Sequence, residues 1–261
     1  MDSRPRIRLL TRGDDLGAFE AGNRAIIDAY QYGILRNASL IAPAPNIHHA
    51  AHLVKQFPRL CLGLHITLTS EWDAPRWGPV SPAETVPSLV NRDGCFFRTT
   101  MELFRQGINI DEAVREVKAQ LQLVRSLGLD ICYLDEHMVP GWIFHPADTL
   151  RTPLSSAFKA IAREEGLIWY GDITTQAEAL PASRDLPETL RHIQPGTYLL
   201  VTHPAYDDAE TRQVVGSGHT QPGNLARIRA QDAQLLRAPE VMRIIDERHI
   251  QLVRYDEVSL L

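Results

Sequence analysis

The sequence predicts an α/β fold: a mostly parallel sheet of about seven strands, surrounded by helices and closed as an irregular (β/α) barrel, in one domain over residues 1–261. Three observations carry this expectation. Short runs rich in Ile, Val, Leu, Thr and Tyr recur along the chain at the length of strands rather than helices. Segments of helical period separate them, and such alternation calls for parallel strands joined by crossover helices. At 261 residues the chain can bury a large core and still be one domain. Length favours closure, although periodicity alone does not separate a barrel from an open doubly wound sheet.

The strands are expected at 7–12, 38–42, 61–67, 131–134, 167–170, 197–202 and 251–255. A helix is expected over 18–32, with Phe19, Ile26, Ile27 and Tyr30 on its apolar face and Gly33 as its stop. The segment 111–127 is a clearer one: Val114, Val117, Leu121 and Val124 recur at three- and four-residue steps, Asp111 suits the N-cap and Gly128 ends the run. Segments 47–56, 155–165 and 225–248 also read as helical. Two stretches break the alternation. Residues 70–110 hold Trp72, Trp77, Pro75, Pro79, Pro82, Pro87 and the turn sequence NRDG at 91–94; residues 203–224 hold HPAYDDAETRQVVGSGHTQPGN. Loops this long are usually functional or disordered. The first is apolar enough to be ordered and to form part of a lid.

Composition removes several function classes. A net charge of −5 argues against nucleic acid as the main partner, since phosphate binding needs a basic face. No apolar run approaches the length of a membrane span, and the first residues, MDSRPRIRLL, lack the apolar core of a signal peptide. Cys61, Cys95 and Cys132 are widely spaced and odd in number, as in a reduced cytoplasmic protein.

The polar residues fall in a pattern. Asp14 and Asp15 follow the first strand, His65 ends CLGLH, Asp135, Glu136 and His137 follow ICYL, and His203 follows YLLVT. Each alone has an ordinary reading: an Asp after a strand caps the next helix, and a His there hydrogen-bonds locally. Together they place carboxylates and imidazoles at the same end of four strands, where parallel α/β sheets build active sites. His48, His49 and His52 form a second group, without the Glu of a zinc-protease motif, and read as surface residues. His145 and His219 lie in loops within reach of a substrate, and the acids at 207–210 read as a solvated turn or helix start.

One carboxylate and two imidazoles make a catalytic metal set with open positions. Asp15, His65 and His137 are the candidates, for one divalent ion: Mg or Zn first, with Mn, Co or Fe open. Asp14, next to a ligand but not one itself, would stay ionised and serve as base, and His203 would supply the acid. This is a hydrolase layout.

The segments RGDDLGAFEAGNRAI, ASLIAPAPNIHHAA, LGLHITLT, LDEHM and VTHPAYDDAETR resemble, in order, the successive motifs of the YdjC-like carbohydrate deacetylases, the chito-oligosaccharide deacetylase family. The resemblance runs from about residue 7 to 235. It implies an irregular barrel, a divalent ion on Asp15, His65 and His137, Asp14 as base, His203 near the site, removal of an N-acetyl group from an amino sugar, and often a homodimer. The chain departs from the family at DEHMVPGW, where many members read DSHHHVH: Glu136 stands for Ser, and Met138 and Gly141 for histidines. Glu136 could sit behind the metal set, compete with His137 for the ion, or touch substrate. Trp72, Trp77 and Trp142 are candidates to stack on sugar rings, and Arg76 and Arg98 to meet hydroxyls or an anion. The rivals are a metal-dependent phosphoester hydrolase, a glycosidase using the acids near 135, and a non-catalytic metal-containing sugar-binding protein.

Overall fold

The computed structural model describes residues 6–138, 151–174, 176–216 and 220–258. Its elements run β1 (Ile7–Leu16), α1 (Glu20–Gln31), β2 (Asn37–Leu40), α2 (Ile47–Val54), β3 (Cys61–Ile66), α3 (Thr100–Gln106), α4 (Ile110–Ser126) and β4 (Ile131–Glu136). They continue with α5 (Arg151–Glu164), β5 (Ile168–Trp169), α6 (Tyr170–Thr174), β6 (Glu178–Leu180), α7 (Leu186–His192), β7 (Gly196–Thr202), α8 (Ala209–Arg212), α9 (Asn224–Leu235), α10 (Pro239–Glu247), β8 (Gln251–Val253) and α11 (Tyr255–Val258).

Every strand pair is parallel, in the order β5-β4-β3-β2-β1-β7-β6. The long β1 is the axis. One edge pairs with β7 from Ile7 to Gly13. The other edge is shared: β8 takes Arg8–Leu10, then β2 takes over from Arg12. No pairing joins β5 to β6 among the described residues, so the sheet curls into a half-barrel open on one side. Inward-facing Leu10, Cys61, Tyr133 and Val253 fill its lower part, with Tyr255 and Val258 of α11 beneath and Leu199 packed against them from β7 at the foot of a cavity. Tyr133 stacks on Tyr255 with ring centroids 4.1 Å apart. It crosses β3 at Gly63, where any Cβ would meet the ring at 2.2 Å. A larger apolar layer packs the outer face of the sheet against the helices.

The departures from expectation have physical causes. β6 is unforeseen because Glu-Ala-Leu is helix-forming by propensity, and pairing with β7 overrides that. The segment 225–248 divides into α9 and α10 at Ala238-Pro239, since Pro supplies no N–H to a continuing helix but fits a first turn. Asn109, not Asp111, caps α4, accepting from the N–H groups of Asp111 and Glu112; Gly128, at φ +75°, ends it. Neither Asp14 nor Asp15 caps α1. Its free N–H groups at Glu20 and Ala21 donate to the carboxylate of Glu210, in the segment 207–210 read as a solvated turn or helix start, which does start α8.

The stretch 70–110 is ordered into the core rather than solvated. Trp72, Trp77 and Phe96 are buried. Buried Glu116 of α4 accepts from the Val80 and Ser81 N–H groups, and Gln120 brackets Thr67 through both its N–H and its C=O. Within 203–224, Asp208 caps α8 in a reciprocal pair with Thr211. Among the described residues, no helix is long and apolar enough to cross a membrane.

Candidate metal centre

The placement of the two adjacent aspartates begins with a backbone irregularity. In a regular strand, neighbours point to opposite faces. Arg12 points into the half-barrel, and a Cβ on Gly13 would meet Leu35 and Ile26 outside it. Alternation returns Asp14 to the inside and would send Asp15 out. Asp15 instead adopts φ +66°, and the β1–β2 register slips between Gly13 and Leu16. This bulge re-aims Asp15, so that both carboxylates line one cavity. Asp is among the residues that tolerate the left-handed region.

β3 and β4 deliver the imidazoles. His65 pairs in register with Asp135, and the His137 N–H donates to the Ile66 carbonyl one step further on. His65 Nε2 lies 3.7 Å and His137 Nδ1 3.2 Å from Asp15 Oδ1. One ligand atom from each of the three residues lies within 4.8 Å of the others. The far nitrogen of each ring meets a carboxylate: His65 Nδ1 is 3.0 Å from Asp135 Oδ2, and His137 Nε2 is 3.0 Å from Glu71 Oε2. Such partners fix the ring and its tautomer, leaving opposite nitrogens, Nε2 of His65 and Nδ1 of His137, aimed at the same point.

Two arginines hold the aspartates in different ways. Arg12 grips Asp14 by both oxygens, Nε to Oδ1 at 2.6 Å and Nη2 to Oδ2 at 2.8 Å, and also reaches Asp135 and the Tyr255 hydroxyl. Arg229 of α9 takes a single oxygen of Asp15, Oδ2, at 2.5 Å, with its guanidinium over the Trp72 ring. Asp15 Oδ1 is buried and makes no hydrogen bond among the described residues. A buried carboxylate oxygen that makes no hydrogen bond and faces two imidazole nitrogens is what a cation would satisfy. The residues therefore fit a divalent ion with mixed N and O ligands.

Burial alone would raise both aspartate pKa values. For Asp15, Arg229 and His137 outweigh burial and hold it well below the usual range; for Asp14, Arg12, His65 and His203 outweigh burial and lower it. Burial would lower His137, but Glu71 and Asp15 on either side of the ring push it up to about 10. In the metal-free centre a proton thus stands where a cation would bind.

The cavity above these groups measures about 700 Å³. His203 stands half-exposed in its wall, its backbone N–H donating to Asp232 Oδ2 and its Nε2 4.0 Å from Asp14 Oδ2. Glu136 and Trp72 also line it, and Glu136 accepts from the Tyr170 hydroxyl at 2.7 Å. Trp77 is buried behind, edge-on to Trp72, with Nε1 donating to the Thr69 carbonyl. Arg76 donates to the Phe96 carbonyl, and Arg98 pairs with Asp73; neither lines the cavity. Trp142, His145 and His219 lie outside the described residues. On α2, His48 and His52 are exposed and His49 meets Asn23, apart from the centre.

Sequence reading assigned no role to Arg12, Glu71 or Arg229, and named Asp135 only among the acids at the strand ends. Arg12 had a signal, since it shares a strand face with Asp14 two residues on. Glu71 and Arg229 had none, because only the tertiary fold brings them near Asp15 and His137.

The family described as YdjC-like protein matches residues 8–247. A carbohydrate deacetylase of Geobacillus stearothermophilus is 28% identical over 262 residues, covering 95% of this chain and 96% of its own. A carbohydrate deacetylase of Enterococcus faecalis V583 is 25% identical over 272 residues, covering 97% and 98%. A crystal structure from Enterococcus faecalis V583, of a proposed cellobiose-phosphate cleavage protein, superposes with a TM-score of 0.78 at 24% identity, covering 97% of this chain and 99% of that one. With the family match spanning nearly the whole sheet and every residue of the centre, the chain belongs to the YdjC-like protein family.

Proposed function

We propose that the protein is a metal-dependent hydrolase that removes an N-acetyl group from an amino sugar. The observation that carries this reading is the buried, unbonded Asp15 Oδ1 facing His65 Nε2 and His137 Nδ1. The full-length similarity to proteins named carbohydrate deacetylase supports the choice of substrate.

Asp15, His65 and His137 would hold the ion. When bound, a divalent cation there supplies a charge that acidifies water and polarises an acyl carbonyl. The chain's own groups do the rest. Asp14, kept ionised by Arg12, takes a proton from the attacking water; a carboxylate has about four lone-pair sites, and Arg12 occupies two. His203, across from Asp14 and open to the cavity, gives a proton to the departing amine. Asp135 and Glu71 keep each imidazole turned toward the centre. Both arginines lining the cavity are already paired with carboxylates, which favours a neutral amide over a phosphoester.

The test is release of acetate from a panel of N-acetylated mono- and oligosaccharides. The purified protein is stripped by chelator and reloaded with Zn, Mg, Mn or Co. Turnover that disappears on stripping and returns with one of these ions is expected. Turnover indifferent to chelator, or phosphate release from sugar phosphates without acetate release, would overturn the reading.

A further inference from the structure

We propose that the cavity holds an acyl subsite deeper than acetyl needs, and that the preferred substrate is an amino sugar N-acylated with a chain of several carbons. This rests on the amide-hydrolase reading above.

Strand register gives the depth. Thr202 pairs with Gly13, placing His203 beside Asp14; Val201 pairs with Arg12 and Leu199 with Leu10. Four residues therefore separate His203 from Leu199, about 13 Å at roughly 3.3 Å per residue. Both line the same cavity. On the next strand Ala179 pairs with Leu199, and Ala179 and Ala177 line the cavity as well. The cavity thus descends from the level of the candidate acid and base into the half-barrel, on the side where β6 ends the sheet.

The wall of this descent is apolar: Val201, Leu199, Ala179 and Ala177. Arg12 stands at the level of Val201, but its polar atoms go to Asp14, Asp135 and Tyr255. Ala179 is exposed and Val201 and Ala177 partly so, with Leu199 buried at the foot, whereas Leu10, Tyr133 and Val253 around the same interior are covered. At the cavity's other lining positions stand Met138 and Ile228, two of the three large hydrophobic residues exposed among the described residues. Apolar surface left open inside a cavity marks an apolar occupant.

The substrate part that fits is the acyl chain. The scissile carbonyl has to lie within reach of Asp14 and His203, at the head of the descent, and the chain on that carbonyl carbon is the nearest apolar group. A sugar ring placed below would leave its hydroxyls without partners. Ala179, paired with Leu199 across the β6–β7 edge, supplies the width. The reaction is unchanged: water adds across the C–N bond, giving a carboxylic acid and a free amine.

The experiment measures kcat/KM of the metal-loaded protein on N-acetyl, N-butanoyl, N-hexanoyl and N-octanoyl glucosamine. Each methylene that becomes buried is expected to raise kcat/KM by about fourfold until the space is filled. Ala179→Leu should lower the hexanoyl-to-acetyl ratio about tenfold. Independently of that variant's folding, hexanoate should inhibit the wild-type protein more strongly than acetate. Hydrolysis of the acetyl substrate with flat or falling rates for longer chains would overturn the proposal and leave the amide-hydrolase reading standing. No turnover at any chain length would overturn both.

Discussion

The same strands behave in opposite ways at their two ends. Near their starts β1, β3 and β4 carry Leu10, Cys61 and Tyr133, closed over by Tyr255 and Val258. Four residues further on, the inward positions are Asp14, His65 and His137, fully buried yet ionisable. The lower end gains stability from apolar burial. The upper end pays desolvation for every charge and recovers it only through pairing, because an unpaired buried charge is far costlier than a buried Leu. Arg12 spans the boundary, reaching Tyr255 below and Asp14 and Asp135 above. The contrast teaches that the upper end is incomplete on its own: its pairings satisfy Asp14 and Asp15 Oδ2 but leave Asp15 Oδ1 without a hydrogen bond, facing the His137 and His65 rings.

The largest effect should come from removing that oxygen's charge. Asp15→Asn is expected to lower turnover by about 10³-fold or more, the scale of losing a principal electrostatic contributor. Cation affinity, read by calorimetry, should collapse in parallel. Full cation affinity in the variant would mean that the upper end is complete without Asp15, and the contrast would fail.

Next is pH. The folded-state pKa of His137, about 10, lies above its ordinary 6.5. The protonated ring therefore stabilises the metal-free fold fully below about pH 6.5, and that contribution is lost as pH rises through about 10. A cation must displace this proton. Affinity should rise about tenfold per pH unit, or roughly 10²-fold from about pH 7 to about pH 9, with one proton released per ion. Calorimetry in buffers of different ionisation enthalpy counts the proton. An affinity flat with pH would show that Glu71 and Asp15 do not hold the ring charged.

Smaller losses are expected from the groups behind the imidazoles. Glu71→Gln and Asp135→Asn should each weaken cation affinity by about 10- to 100-fold while leaving the ligand atoms in place. Asp135→Asn should also lower the thermal midpoint more, since it removes a partner of Arg12 as well as of His65.

How much of this was legible follows the same division. The lower end and the outer core were readable, because apolar runs and helical periods are local signals. So was the arrival of Asp14, Asp15, His65 and His137 at one end of the sheet, since each follows an apolar run and parallel strands share direction. The aim of Asp15 was not, because strict alternation turns it outward and only the bulge, at φ +66°, brings it back. Nor were partners such as Glu71, Arg229 or Glu210, whose contacts join residues 66, 214 and up to 190 apart in sequence. Glu178–Leu180 carried no strand signal in its residues, and pairing along the β7 edge decided its state.

The smallest effect on the site should come from the largest change below it. Leu10→Ala removes a fully buried side chain from the half-barrel floor and should cost about 2–5 kcal/mol, read as a lower denaturation midpoint. If the two ends are separate in what they do, cation affinity and its pH slope should stay within about twofold of wild type, because none of the ligand-holding contacts passes through Leu10. Arg12 is the route by which this could fail, since it sits two residues above Leu10 on the same face. Affinity falling in step with stability would mean that the floor sets the position of Arg12, and through it Asp14 and Asp135. The charged end would then be held by packing beneath it as much as by its own pairings.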